Sequence, residues 1–179
     1  MNKLTPESTE AMTRYTLEST QKAMDPLIGA LDLVPDERLA EQPVPEQLPL
    51  GRMIEHALGA VAFTARAIRL GKCEESDIAD LMVEDESTGT RSRIRDVEGV
   101  ARSELESTLA GLDADMAANS IDYWFGWQLT GLETAGLGYQ ELVHHRGQVQ
   151  SFLRLMGFTP PEIYPTDAPA DAAEEASTE

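Results

Sequence analysis

The chain has 179 residues, a net charge of −18, 41% hydrophobic residues and only 6% aromatics, which suits one domain with a mainly aliphatic core. That charge argues against nucleic acid and anionic membrane as partners, since phosphate surfaces select clustered Lys and Arg. No apolar run approaches the ~20 residues of a membrane span, the N-terminus has no apolar signal segment, and the single Cys73 excludes an internal disulfide, so a reducing cytoplasm is the expected location.

The first helix is expected over Pro6 to Leu31, with Thr5 as N-cap and Pro6 at the first helical position. Met12, Tyr15, Leu17, Met24, Leu27, Ile28 and Leu31 recur at three- and four-residue steps as its apolar stripe. Pro26 should kink or divide it. Pro35, Pro43, Pro45 and Pro49 make residues 35–49 an extended connection. The second helix is expected from Leu50 to Leu70, stopping at Gly71, with an Ala-rich centre that admits a close neighbour.

Residues 72–90 are polar and acidic apart from Ile78, Leu81, Met82 and Val83, and are long enough to cross from one end of a bundle to the other. A third helix is expected over Arg91 to Ala117, with Ile94, Val97, Val100, Ala101, Leu105, Leu109 and Leu112 as its apolar face. Residues 120–130 read as a short connection that holds Trp124, Phe125 and Trp127. These rings are placed either to roof a pocket at the bundle's mouth or to form a core cap or dimer contact. The fourth helix is expected from Leu132 to Met156, ending at Gly157. The expected organisation is a helical domain over residues 1–165 and an acidic disordered tail over 166–179. Four long amphipathic segments with almost no strand pattern predict an all-α four-helix bundle, with a long crossover between its second and third helices.

The tract Glu141-Leu142-Val143-His144-His145-Arg146-Gly147-Gln148 carries two of the three histidines. Glu141 and His145 are four apart and share one helix face. The third histidine, His56, lies in the second helix. If it faces them, His56, Glu141 and His145 form a two-histidine, one-carboxylate site suited to a divalent transition metal with open positions. The same residues also fit a surface Glu–His pair and a core histidine. His144 points roughly 100° away and reads as a packing or outer residue. Arg146 and Gln148 are placed to orient a ligand or, for Arg146, to form an ion pair. Gly147 suggests a close helix approach. Cys73 lies beside Glu74 and Glu75, which should raise its pKa and disfavour a nucleophilic role.

The stretch from His144-His145-Arg146-Gly147-Gln148 through Leu153-Arg154-Leu155-Met156-Gly157 to Pro160-Pro161-Glu162-Ile163-Tyr164 resembles the end of DinB/YfiT-like proteins. Met53-Ile54-Glu55-His56-Ala57 resembles their second helix. The resemblance covers residues 6–164 and implies a four-helix bundle with a long crossover, often dimeric. It also implies a three-ligand site for nickel or zinc. Carried over, the ligands are His56 and His145, with Glu141 where the family pattern has His. The carboxylate removes one positive charge from the assembled site and favours harder metals such as Mn or Fe.

The resemblance further implies a small-molecule enzyme: a metal-dependent transferase using a low-molecular-weight thiol of the mycothiol or bacillithiol type, or a metal-dependent hydrolase. Arg52, Arg66, Arg146 and Arg154 are the basic candidates for holding an anionic thiol. A stress-related, non-catalytic bundle with a structural or vestigial metal is the competing reading. A DNA polymerase is excluded: the chain is short and acidic, and shows no acidic metal pair on a sheet.

Overall fold

Thr5 starts the first helix as expected. Its hydroxyl accepts from the Ser8 amide, the Ser8 hydroxyl accepts from the Thr5 amide, and Pro6 follows in the first turn. The computed structural model describes residues 4–81, 84–85 and 87–163, and in it this helix is α1 (Pro6–Ala23). Pro26 divides the segment. α2 (Asp25–Leu33) begins anew with the proline in its first turn, where a missing N–H leaves no intrahelical bond unmade. The expected apolar stripe is only partly buried: Met12 is 47% and Tyr15 73% exposed. The buried face of α1 is instead Thr9, Thr13, Leu17 and Thr20. Each of these threonines donates its hydroxyl to the carbonyl four residues earlier, so it enters the core with its polar atom satisfied.

After the proline-rich connection, α3 (Leu50–Leu70) runs to Gly71, whose φ of +69° gives the left-handed stop. The crossover then returns the chain to the start of α3. It contains the two-residue strand β1 (Lys72–Cys73) and a 3-10 turn over Glu75–Ile78. At its end the Gly89 amide donates to Glu55 at 2.6 Å. A Cβ on Gly51 would lie 2.1 Å from the Gly89 carbonyl oxygen, so glycine is required there. α4 (Arg91–Gly111) therefore starts beside the start of α3, and the two run parallel. Further along, Arg66 and Arg69 of α3 share Glu104 of α4, and the Thr108 hydroxyl donates to the Ala65 carbonyl.

The expected third helix is broken. Asp113 accepts from the Met116 amide and caps a separate short helix, α5 (Ala114–Ala118). Arg14 of α1 takes the carbonyls of Leu109 and Leu112 at the break. An Asp that caps its own backbone competes with helix continuation, which explains the interruption.

Residues 120–130 are not an irregular connection. β2 (Ser120–Tyr123) and β3 (Gln128–Thr130) form a hairpin, and β1 joins β2 in parallel, with Cys73 opposite Tyr123. Ile121 and Tyr123 point inward, and the Tyr123 hydroxyl meets that of Thr134 at 2.9 Å. α6 (Gly131–Leu155) opens with a reciprocal Thr130–Glu133 cap and runs antiparallel to α3. The principal helices thus form the expected bundle, with α3 and α4 parallel and α1 and α6 opposed to them. Leu58, Val61, Ala62, Ile94, Leu105, Leu142 and Leu153 are wholly buried within it. None of the described helices is long and apolar enough to cross a membrane. The segment 166–179 read as a disordered tail, together with Met82 and Val83, lies outside the described residues.

Candidate metal centre

The spacing of α3 and α6 is set by small residues. A Cβ on Gly138 would lie 2.1 Å from the Thr64 hydroxyl oxygen, so the two helices are in backbone-close contact. About two turns along α6 from this point, His145 faces His56 of α3. Their rings stand perpendicular with centroids 4.8 Å apart. Glu141, one turn before His145, brings its Oε2 to 3.5 Å from the His145 Nε2. One donor atom from each of His56, Glu141 and His145 lies within 4.8 Å of the others.

Two ligands at ~2.1 Å from an ion in a tetrahedral arrangement stand ~3.4 Å apart. The Glu141–His145 pair already has that spacing. The remaining gaps close by small rotations, for which the exposed His56 has room. Two imidazoles and a carboxylate make a donor set for a borderline divalent ion, so the residues present fit such a metal.

Gln148 completes the arrangement. Its Oε1 lies 2.7 Å from the His145 Nδ1. A carboxamide oxygen can only accept, so the proton sits on Nδ1 and the Nε2 lone pair is left to face Glu141 and His56. Burial pushes the His145 imidazole below its ordinary pKa, with His56 and His144 acting in the same direction and Gln148 and Glu141 against it. The neutral form is the one that binds metals.

The other residues singled out in the tract separate. His144 is exposed and meets His145 at 4.9 Å, outside the cluster. The Arg146 Nε is buried without a hydrogen-bond partner among the described residues and orients none of the three. Gly147 is exposed, and a Cβ there would meet nothing within 4 Å, so the close approach expected of it belongs to Gly138.

His56 and Glu141 line a cavity of about 520 Å³ between α3, the crossover and the hairpin. Trp124, Phe125 and Trp127 roof it, as one of the two readings expected. Of the four arginines considered, Arg52 alone lines it. Arg66 is held by Asp80 and Glu104 at the far end of α3, and Arg154 is exposed. Cys73 is buried, and burial first, then Asp77, pushes its thiol up to about 11. Glu74 acts in the direction expected from the sequence, but burial is the larger cause.

The fold and the cluster place the chain among four-helix bundles that assemble polar side chains between facing helices. Residues 8–176 match the model of the DinB family, and the chain belongs to that family. Among solved structures, a DinB-like protein from Bacillus subtilis has the same fold. The TM-score is 0.63 over 83% of this chain and 97% of the other, at 18% identity. No curated protein matches the sequence.

Proposed function

We propose that His56, Glu141 and His145 bind a divalent transition metal and that the chain uses it to transfer a low-molecular-weight thiol to a small electrophile. The observation that carries this reading is the convergence of the three donors, two of which, His56 and Glu141, line a cavity of about 520 Å³ that is otherwise mostly apolar. Nickel or zinc suits the imidazoles, and Glu141 widens the choice toward manganese or iron. When bound, such an ion supplies a Lewis acid that keeps a coordinated thiol of the mycothiol or bacillithiol type deprotonated near neutral pH.

The chain's own residues do the rest. Gln148 holds the His145 tautomer. Glu141 offsets one positive charge at the ion. The hairpin aromatics line the cavity beside the cluster with apolar surface. Cys73 takes no part, since its thiol is buried and protonated at neutral pH.

Elemental analysis of purified protein tests the site. Stoichiometric metal is expected in the wild type and little in His145→Ala or His56→Ala. Equal content in all three would overturn the site. Loaded protein supplied with thiols and halogenated or epoxide electrophiles then tests the chemistry. Turnover that needs no thiol would assign hydrolysis instead, and bound metal with no turnover would make the ion structural.

A further inference from the structure

The cavity beside the cluster has a chemistry of its own. One wall is a chain of rings set edge to face. Phe63 of α3 meets Trp124 at 6.1 Å and 88°, Trp124 meets Phe125 at 4.6 Å and 81°, and Phe125 meets Trp127 at 5.3 Å and 74°. The three hairpin rings remain 40%, 46% and 54% exposed, which is unusual for side chains that each hold so much apolar surface.

α3 also lends the cavity Gly59, three residues beyond His56 and one turn before Phe63. Glycine inside a helix costs ~1 kcal/mol against Ala. At Gly51 and Gly138 a neighbouring atom explains that cost, but a Cβ on Gly59 would meet nothing within 4 Å. No packing demand requires glycine there. The space it leaves open belongs to the cavity.

The charges lining the cavity leave no place for an anion. Glu55 is buried and held by Arg93 and the Gly89 amide. Arg52 is taken by Glu84 at 2.6 Å. Glu141 belongs to the cluster. No arginine or lysine among the described lining residues is left without an acidic partner, and the chain as a whole carries −18. Burying a charged guest of either sign here is costly, since the described lining leaves no free cation and, with Glu55, Glu84 and Glu141 each engaged, no free carboxylate to pair with it.

We infer that this cavity binds an uncharged aromatic molecule, seated over Gly59 and against the Trp124–Trp127 rings, with its reactive end toward Glu141 and His56. Gly59 sets how deep the ring sits and is the specificity-determining position. The inference rests on the metal-centre reading only for what happens at the reactive end. Occupancy of the cavity stands apart from it.

The chain's two tryptophans are Trp124 and Trp127, so tryptophan fluorescence, excited selectively over tyrosine, reports on this cavity alone. The test titrates metal-free full-length protein with three nitroaromatic quenchers of one ring size: 4-nitrobenzyl alcohol, 4-nitrobenzoate and 4-nitrobenzylammonium. Collisional quenching is subtracted with free N-acetyltryptophanamide. The alcohol should quench saturably, and the anion should bind at least about tenfold more weakly (a tenfold change being ~1.4 kcal/mol). Gly59→Leu, which fills the cavity from a position with room for a side chain, should abolish saturation while keeping the wild-type circular dichroism. An anion or cation that binds as tightly as the alcohol, no saturable quenching by any of the three, or a Gly59→Leu chain that binds as well as wild type would each overturn the inference. No metal enters the titration, so its failure leaves the elemental analysis of the cluster untouched, and the reverse also holds.

Discussion

Gly138 of α6 rests directly against Thr64 of α3, with room for a hydrogen but not for a methyl. This contact holds the helices at the distance that lets His145 meet His56 about two turns away. Gly138→Ala is expected to destabilise the fold by about 1–3 kcal/mol through overpacking and to weaken metal binding without altering a ligand. Adding Thr64→Ala should recover part of both. Thermal unfolding and metal titration of the single and double variants check this, and unchanged affinity in Gly138→Ala would separate helix spacing from the cluster.

Gln148 fixes the His145 ring through Nδ1. Gln148→Leu removes the acceptor but keeps the bulk, and partners of this kind are worth ~10–100-fold in metal affinity. Calorimetric titration with zinc should show that loss with little change in unfolding temperature. An equal loss in folding stability would make Gln148 a structural residue instead.

Glu141 distinguishes this cluster from one built of three imidazoles. Glu141→His should shift preference toward zinc and nickel and away from manganese and iron, because a carboxylate favours the harder ions. Competition among the four metals, read by mass spectrometry of the loaded protein, checks the direction. An unchanged ranking would mean that Glu141 does not coordinate.

Cys73 should be inert in the folded chain. Burial places its thiol at about 11, so at pH 8 almost none is thiolate, and its place in β1 against β2 keeps it buried. Reaction with a disulfide reagent should be slow in buffer and fast in denaturant. Rapid reaction in buffer would show that the strand opens readily.

The Arg66 guanidinium, bonded to Asp80 at 2.7 and 3.1 Å, holds that carboxyl below its ordinary range. The folded value is lower than the unfolded one, near 3.9. The contribution is therefore present in full above about pH 4 and is lost as the pH falls through the folded value. The Asp80 side chain is half-exposed, so its worth is under about 1 kcal/mol. Asp80→Asn should be slightly less stable than wild type at pH 7, and the gap should narrow as the pH falls below about 4 in urea titrations. A gap that does not narrow on acidification would point to a role other than the ion pair.

Much of this arrangement is legible in the chain because its signals are local. Thr5-Pro6, Pro26 and Gly71 mark helix ends by chemistry that acts within one turn. The i, i+4 spacing of Glu141 and His145 fixes a shared face. The face-to-face meeting with His56 required the family resemblance, since helix pairing is not a local property. The misses have the same root. Ile121 and Tyr123 alternate over too short a run to register as a strand, and β1 is a strand only because β2 lies beside it. Thr9, Thr13 and Thr20 look polar in composition yet line the core, because each satisfies its hydroxyl on its own helix. Gly138 and Gly147 are indistinguishable by residue type, and only the position of Thr64 tells which one a neighbour crowds.

The parallel course of α3 and α4 also has a consequence for biosynthesis. His56 leaves the ribosome early, but its counterparts on α6 emerge only after the crossover, α4, the short α5 and the hairpin have been made. A growing chain therefore has no place to capture an ion prematurely, and a truncated product would carry a lone imidazole. Loading would then report that translation and tertiary closure had both finished, and the empty, incomplete chains would be the ones left open to proteases.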